Sequence, residues 1–97
     1  MDAYYKELID KYNDNIIEHE GNLYAIRVIG RGNNLFFREN EKCLICDIDA
    51  EHGVIYKKSI KIWDSVDEKM TKSEKDRVTA LIADFYRKIY NPNVLRK

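Results

Sequence analysis

Between residues 15 and 63 the chain spells five short β-rich runs whose connecting links are too short to hold a crossover. The runs read NIIEHE, LYAIRVIG, LFFRE, KCLICDID and VIYKKSIKIW. Turn-formers stand between them: Gly21-Asn22, Arg31-Gly32-Asn33-Asn34, Asn40-Glu41 and Ala50-Glu51-His52-Gly53. Strands linked this tightly run antiparallel, because a parallel pair needs about a dozen residues to return to the same end. The expectation is a five-stranded antiparallel β-meander in which VIYKKSIKIW is the longest strand.

Side chains alternate across a strand, so the sequence also assigns faces. Tyr24, Ile26, Val28, Leu35, Phe37, Leu44, Cys46, Ile48, Val54, Tyr56, Ile60 and Ile62 fall on a core face. The other face takes Arg27, Arg38, Asp47, Asp49, Lys57, Ser59, Lys61 and Trp63, with Ile29 and Ile45 among them. It is expected to be wet or contacted by a partner.

A sheet with one apolar face needs a cover. In Thr71-Lys72-Ser73-Glu74 a Thr precedes a Glu by three residues, the pattern of a capping box. Beyond it Val78, Leu81, Ile82, Phe85 and Ile89 recur at helical spacing until Asn91-Pro92-Asn93 ends the pattern. A second stripe, Tyr5, Leu8, Ile9 and Tyr12, predicts a short helix over Asp2 to Tyr12, closed by Asn13-Asp14-Asn15. The fold class read from the sequence is α+β over residues 1–97 as one domain. The C-terminal amphipathic helix packs on one sheet face, and the N-terminal helix sits at an edge.

Composition narrows the setting. The chain is 44% hydrophobic and 35% charged, the balance of a folded domain. No run approaches the roughly 18 apolar residues of a membrane span, and the N-terminus carries acids and tyrosines where a signal peptide is apolar. The expected location is cytoplasmic, without membrane contact. Lys plus Arg and Asp plus Glu stand at 17 each, which argues against a nucleic-acid partner. The halves differ, however: residues 1–51 hold 11 acids and 6 bases, residues 52–97 hold 6 acids and 11 bases, giving −5 and +5. Such a chain either presents a dipolar surface to a charged partner or mixes its charges by interleaving the halves.

None of the candidate motifs amounts to catalytic machinery. Cys43 and Cys46 have Cys-x-x-Cys spacing, and with His19 and His52 they number four zinc-type ligands. Residues three apart in a strand point to opposite faces, so the expectation is a buried Cys46 and a half-exposed Cys43 acting as small hydrophobes. Gly30-Arg31-Gly32-Asn33-Asn34 joins two strands and lacks the Lys-Ser/Thr of a phosphate loop, which makes it a hairpin turn. Asp47 and Asp49, with Glu39, Glu41 and Glu51 nearby, suit a divalent cation or acid-base work, a solvent face opposite Lys57 and Lys61, or contact with a basic partner. Trp63 and Tyr56 interleaved with Lys57, Lys58 and Lys61 have the composition of a base-stacking platform, against which the net charge of zero speaks. No catalytic residue, cofactor or metal site is assigned, and the expected class is non-enzymatic.

The stretch from Gly53, with Ser59, Ile60 and Trp63 in a Ser-Ile-x-x-Trp segment, then Asp64, an acidic connector and EKDRVTALIADFYRKIY, resembles the C-terminal part of small immunity proteins. These belong to bacterial polymorphic and contact-dependent toxin systems. The N-terminal helix and the neutral charge depart from that pattern. The resemblance implies a protein that binds and neutralises one cognate toxin domain, expected to be basic. The interface residues expected are Glu39, Glu41, Asp47, Asp49 and Glu51, with Trp63 as an aromatic anchor. The alternative is a regulatory or scaffold module that binds a peptide or self-associates through a sheet edge.

Overall fold

Alternation along three central strands builds two apolar layers, one on each face of the sheet. The structure is a computed structural model and describes residues 3–13 and 16–97. Asp2, Asp14 and Asn15, which belong to the expected N-terminal helix, its end and the first expected strand, lie outside the described residues. Helix α1 spans Ala3–Lys11. The strands follow as β1 (Ile17–His19), β2 (Asn22–Ile29), β3 (Asn34–Glu39), β4 (Lys42–Asp49) and β5 (Val54–Ile55). After a 3-10 turn at Lys57–Ser59 come β6 (Ile62–Trp63), β7 (Glu68–Lys69), helix α2 (Lys72–Ile89) and β8 (Leu95–Arg96).

The main sheet has six strands in the order β1-β2-β3-β4-β5-β8, not five. β1 to β5 form the expected antiparallel meander. The sixth strand, β8, lies parallel to β5 and pairs Val54 with Leu95 and Ile55 with Arg96. A parallel neighbour is possible here because α2 supplies the long return. The Leu95 amide donates to the Gly53 carbonyl at 2.7 Å and the Lys97 amide to that of Ile55 at 2.8 Å. Gly53 allows this approach: its φ is +67°, and a Cβ there would meet Asn91 Nδ2 at 2.6 Å.

The expected long strand VIYKKSIKIW is broken, and the reason is Lys58. Strict alternation from Val54 puts Lys58 on the buried face between Tyr56 and Ile60, where an unpaired ammonium is costly. The 3-10 turn takes Lys57 and Lys58 out of the sheet and shifts the phase of the residues beyond it. Ile60 stays buried as expected, but Trp63, expected on the other face, is buried at 1% exposure, whereas Ile62, expected inside, is half-buried and Tyr56, also expected inside, is 41% exposed. β6 then pairs with β7 as a separate two-stranded ribbon.

β4 is paired with β3 on one side, but loss of the long strand leaves much of its other edge without a strand neighbour, and side chains take its place. The amides of Cys43, Ile45 and Asp47 donate to Ser65 Oγ, Asp64 Oδ2 and Ser59 Oγ at 3.0, 2.9 and 2.9 Å. Ser59, Asp64 and Ser65 are thus structural acceptors that satisfy an otherwise orphaned strand edge.

α2 covers the expected face. Tyr24, Ile26, Leu35, Phe37, Leu44, Cys46 and Ile48 pack with Ile55, Ile60, Trp63, Val78, Ile82 and Phe85. The Thr71 hydroxyl accepts from the Glu74 amide at 3.2 Å, one arm of the capping box. In place of the reciprocal arm, the Glu74 carboxylate receives Arg77 Nε at 2.6 Å. Ile89, expected on the apolar stripe, is exposed.

The second face is not wet. Ala25, Phe36 and Cys43 form an apolar layer there with Leu8, flanked by Tyr5, Ile9, Tyr12, Ile29 and Ile45. α1 therefore lies across this face instead of sitting at an edge, and Cys43 is fully buried instead of half exposed. Among the described residues no helix is long and apolar enough to cross a membrane.

Candidate functional site

The five acidic residues expected to form one interface are dispersed by strand geometry. Register places Glu39 on the α2 face of β3, paired with Lys42, and Asp47 and Asp49 on the opposite face of the sheet. Glu41 and Glu51 stand in the turns at the two ends of β4, an eight-residue strand about 26 Å long at the usual rise. Glu39 is engaged internally. It receives two nitrogens of Arg77 at 2.7 and 2.8 Å and the Tyr24 hydroxyl at 2.9 Å. The Arg77 guanidinium holds both Glu39 and Glu74 below the usual carboxylate range. Asp47 accepts from Asn34 Nδ2 at 3.2 Å, and Asp49 lies 2.8 Å from His52 Nδ1. Lys57 and Lys61, expected opposite these aspartates, leave the sheet with the 3-10 turn.

Asp49, Glu51 and His52 bring one ligand-type atom each to within 4.8 Å of one another. The cluster is exposed or half-exposed, and the His52 contact accounts for its Asp49 side chain. Hydrogen bonding from His52 lowers the Asp49 acid, and the same bond raises the His52 base. The cysteines do not converge. Cys43 belongs to the α1 layer and Cys46 to the α2 layer, on opposite faces of the sheet. Burial raises both thiols, Cys46 to about 12.

Trp63 is not a surface anchor. Its ring stacks on Phe37 at 6.3 Å between centroids inside the α2 layer. Its indole Nε1 is buried and has no hydrogen-bond partner, an unmet donor that costs about 1–3 kcal/mol. The N–H adds a small pull to that of Arg77 on the Glu74 carboxylate, yet lies outside hydrogen-bond geometry.

Basic residues, in contrast, converge. A groove of about 650 Å³ is walled by Lys57 and Lys58 of the 3-10 turn, Lys75 of α2 and Arg96 of β8, over Ile60 and Thr79. Lys75 is shared with a second groove of about 380 Å³ that adds Lys61 and Lys69 of the β6–β7 ribbon. Lys69 and Met70 in turn line a third groove of about 340 Å³, which reaches Trp63, Ser73 and Glu74. The three run into one another around the first turns of α2. Four cations in the first groove and two more in the second make six, and none has an ion-pair partner among the described residues. The one carboxylate of the first groove, Asp76, is held by Lys72 at 2.9 Å. Like charges gathered this way create a positive field that extends roughly a Debye length, about 8 Å at physiological salt.

The signal for this site was present in the sequence in part. The +5 balance of residues 52–97 and the cluster Lys57, Lys58, Lys61 pointed to it. Lys69, Lys75 and Arg96 join only through the tertiary fold. No protein-family model, curated protein or solved structure matches this chain.

Proposed function

We propose that this chain is a non-enzymatic binding protein that captures a partner protein by seating an acidic surface of that partner on the basic grooves around α2. The observation that carries the reading is the set of six cations without ion-pair partners along one continuous path. Charges left unpaired on a folded surface speed encounter with an opposite surface and select against like-charged competitors. This reverses the sense expected from the acidic strand region, whose members are spread over two faces and two ends of the sheet.

The role proposed is that of an immunity protein that neutralises a cognate toxin domain. The supporting features are the Ser59, Ile60 and Trp63 segment and the amphipathic helix beyond it. The test is growth rescue. A bacterial host expressing a toxic product of the neighbouring gene should survive with this chain and die with K57E/K58E/K75E, provided that variant is folded. Equal rescue by the charge-reversed chain, or a neighbouring product without toxicity, would overturn the proposal.

A second reading rests on a different surface. β1 covers only Asn22–Tyr24 of β2, and beside it Ile16, Ile17, Ile26, Ile89 and Tyr90, together with Arg27, line a groove of about 540 Å³. The Tyr90 hydroxyl accepts from the edge amide of Val28 at 3.2 Å. Apolar patches at sheet edges serve peptide addition or self-association. Sedimentation that stays monomeric up to millimolar concentration, with no change in I89D, would remove the self-association form.

A further inference from the structure

We propose that the groove at the start of α2 anchors an extended acidic segment of the partner, with a backbone carbonyl oxygen of that segment accepting a hydrogen bond from Trp63 Nε1. This rests on the binding reading above and names the form of the partner.

Two independent features point there. Trp63 is 1% exposed, lines the groove and carries an indole N–H without an acceptor. The second feature is the helix start. Thr71 satisfies the Glu74 amide, while the amides of the two residues before it have no acceptor within the helix. An oxygen brought into this groove therefore comes near donors that make no hydrogen bond among the described residues. Because Nε1 is shielded from bulk water, the bond formed displaces no solvent from that atom. Long side chains wall the opening: Lys69, without an ion-pair partner among the described residues, moves by rotamer changes, whereas Glu68 is paired with Lys42 and Glu74 with Arg77.

Charge along the path decides the class of occupant. Lys75, Lys61 and Lys69 lead from the larger groove to this one, so carboxylates spaced along an extended segment find cations in succession. At the far end Glu68, paired with Lys42, and Glu74, paired with Arg77, enter the lining, so the run of unpaired cations ends there and a neutral amide carbonyl suits that end. A nucleic acid fits less well. The Trp63 ring face is taken by Phe37, and no exposed aromatic lines the path on which bases could stack.

The single tryptophan makes the test direct, since the ¹⁵N-labelled full chain has one indole N–H resonance. A capped decaglutamate peptide is titrated in. The expected result is a saturable downfield shift of the indole proton together with shifts of the backbone amides of 57–61 and 72–75. If those amides move and the indole does not, the basic grooves bind but the anchor is refuted. If nothing moves, both readings fall. Equal shifts with inorganic phosphate, or larger ones with oligothymidylate, would replace the peptide by a simple anion or a nucleic acid. W63F, checked for folding by circular dichroism, should bind the peptide about fivefold more weakly, the worth of one neutral hydrogen bond. Unchanged affinity in folded W63F overturns the anchor.

Discussion

Replacing Phe36 by Ala tests whether α1 closes the second face of the sheet. Phe36 is fully buried between Ala25, Cys43 and Leu8, with the Tyr12 ring 5.7 Å away. Removing a buried phenyl ring forfeits its transfer free energy and leaves a cavity that α1 fills only in part, together costing about 3–5 kcal/mol. A domain of 97 residues has roughly 5–15 kcal/mol of stability in all. The variant should therefore lose about a fifth of it or more, with a fall in Tm of roughly 15–25 °C. Urea unfolding monitored by Trp63 fluorescence reads this, because Trp63 lies in the other layer and reports global unfolding. A bare phenyl on a solvated sheet face would cost much less. The decisive comparison is the double-mutant cycle with L8A on α1. Residues in contact couple by about 0.5–3 kcal/mol. A cost below about 1 kcal/mol for F36A, or additivity within about 0.3 kcal/mol in the cycle, would refute the packing of α1 on this face.

The hydrogen-bond pattern yields two other predictions. D64A removes the carboxylate that accepts from the Ile45 amide, and should cost about 1.5–3 kcal/mol by urea midpoint, with faster amide exchange at Ile45. A cost near zero would mean that water replaces the side chain on the β4 edge. Stability should also fall with acid. Arg77 holds Glu39 and Glu74 below their ordinary value of 4.5, so across that interval the unfolded chain binds more protons than the native one. Their contribution is fully present above about pH 5 and is lost as pH drops through the folded values. R77M should flatten this acid limb of the urea midpoint, and an unchanged slope between pH 5 and 3 would contradict the role given to the network.

The parts of the fold legible in the sequence are those whose signals are local. Alternation read the α2-facing residues of β2, β3 and β4 correctly, since Leu35, Phe37, Leu44, Cys46 and Ile48 repeat without interruption. The cap at Thr71 was legible for the same reason, a short-range spacing that needs no tertiary help. The interruption at Lys58 was equally visible, and it is the residue that breaks the long strand, exposes Tyr56 and buries Trp63. The apolar stripe Ala25, Phe36, Cys43 and Ile45 was also in the text of the strands, but counting charged neighbours such as Arg27 and Arg38 made that face look wet. β8 carries no local signal: two residues become a strand only because α2 returns the chain beside β5. The acidic residues were adjacent in sequence, and alternation alone already divides Glu39 from Asp47. The basic grooves needed the fold, which brings a turn, a ribbon, a helix and a terminal strand to one place.

Those grooves carry the proposed function, and their preference for an acidic partner can be measured directly. The measurement is calorimetric titration of the folded chain and of folded K58E/K75E with a capped decaglutamate peptide at several salt concentrations. Wild type should bind, weaken steadily as salt rises from about 0.05 to 0.2 M, and lose about tenfold or more in affinity on the double reversal. Binding that ignores salt, survives the double reversal unchanged, or is matched by a decalysine peptide would contradict the assignment of this surface to an acidic partner.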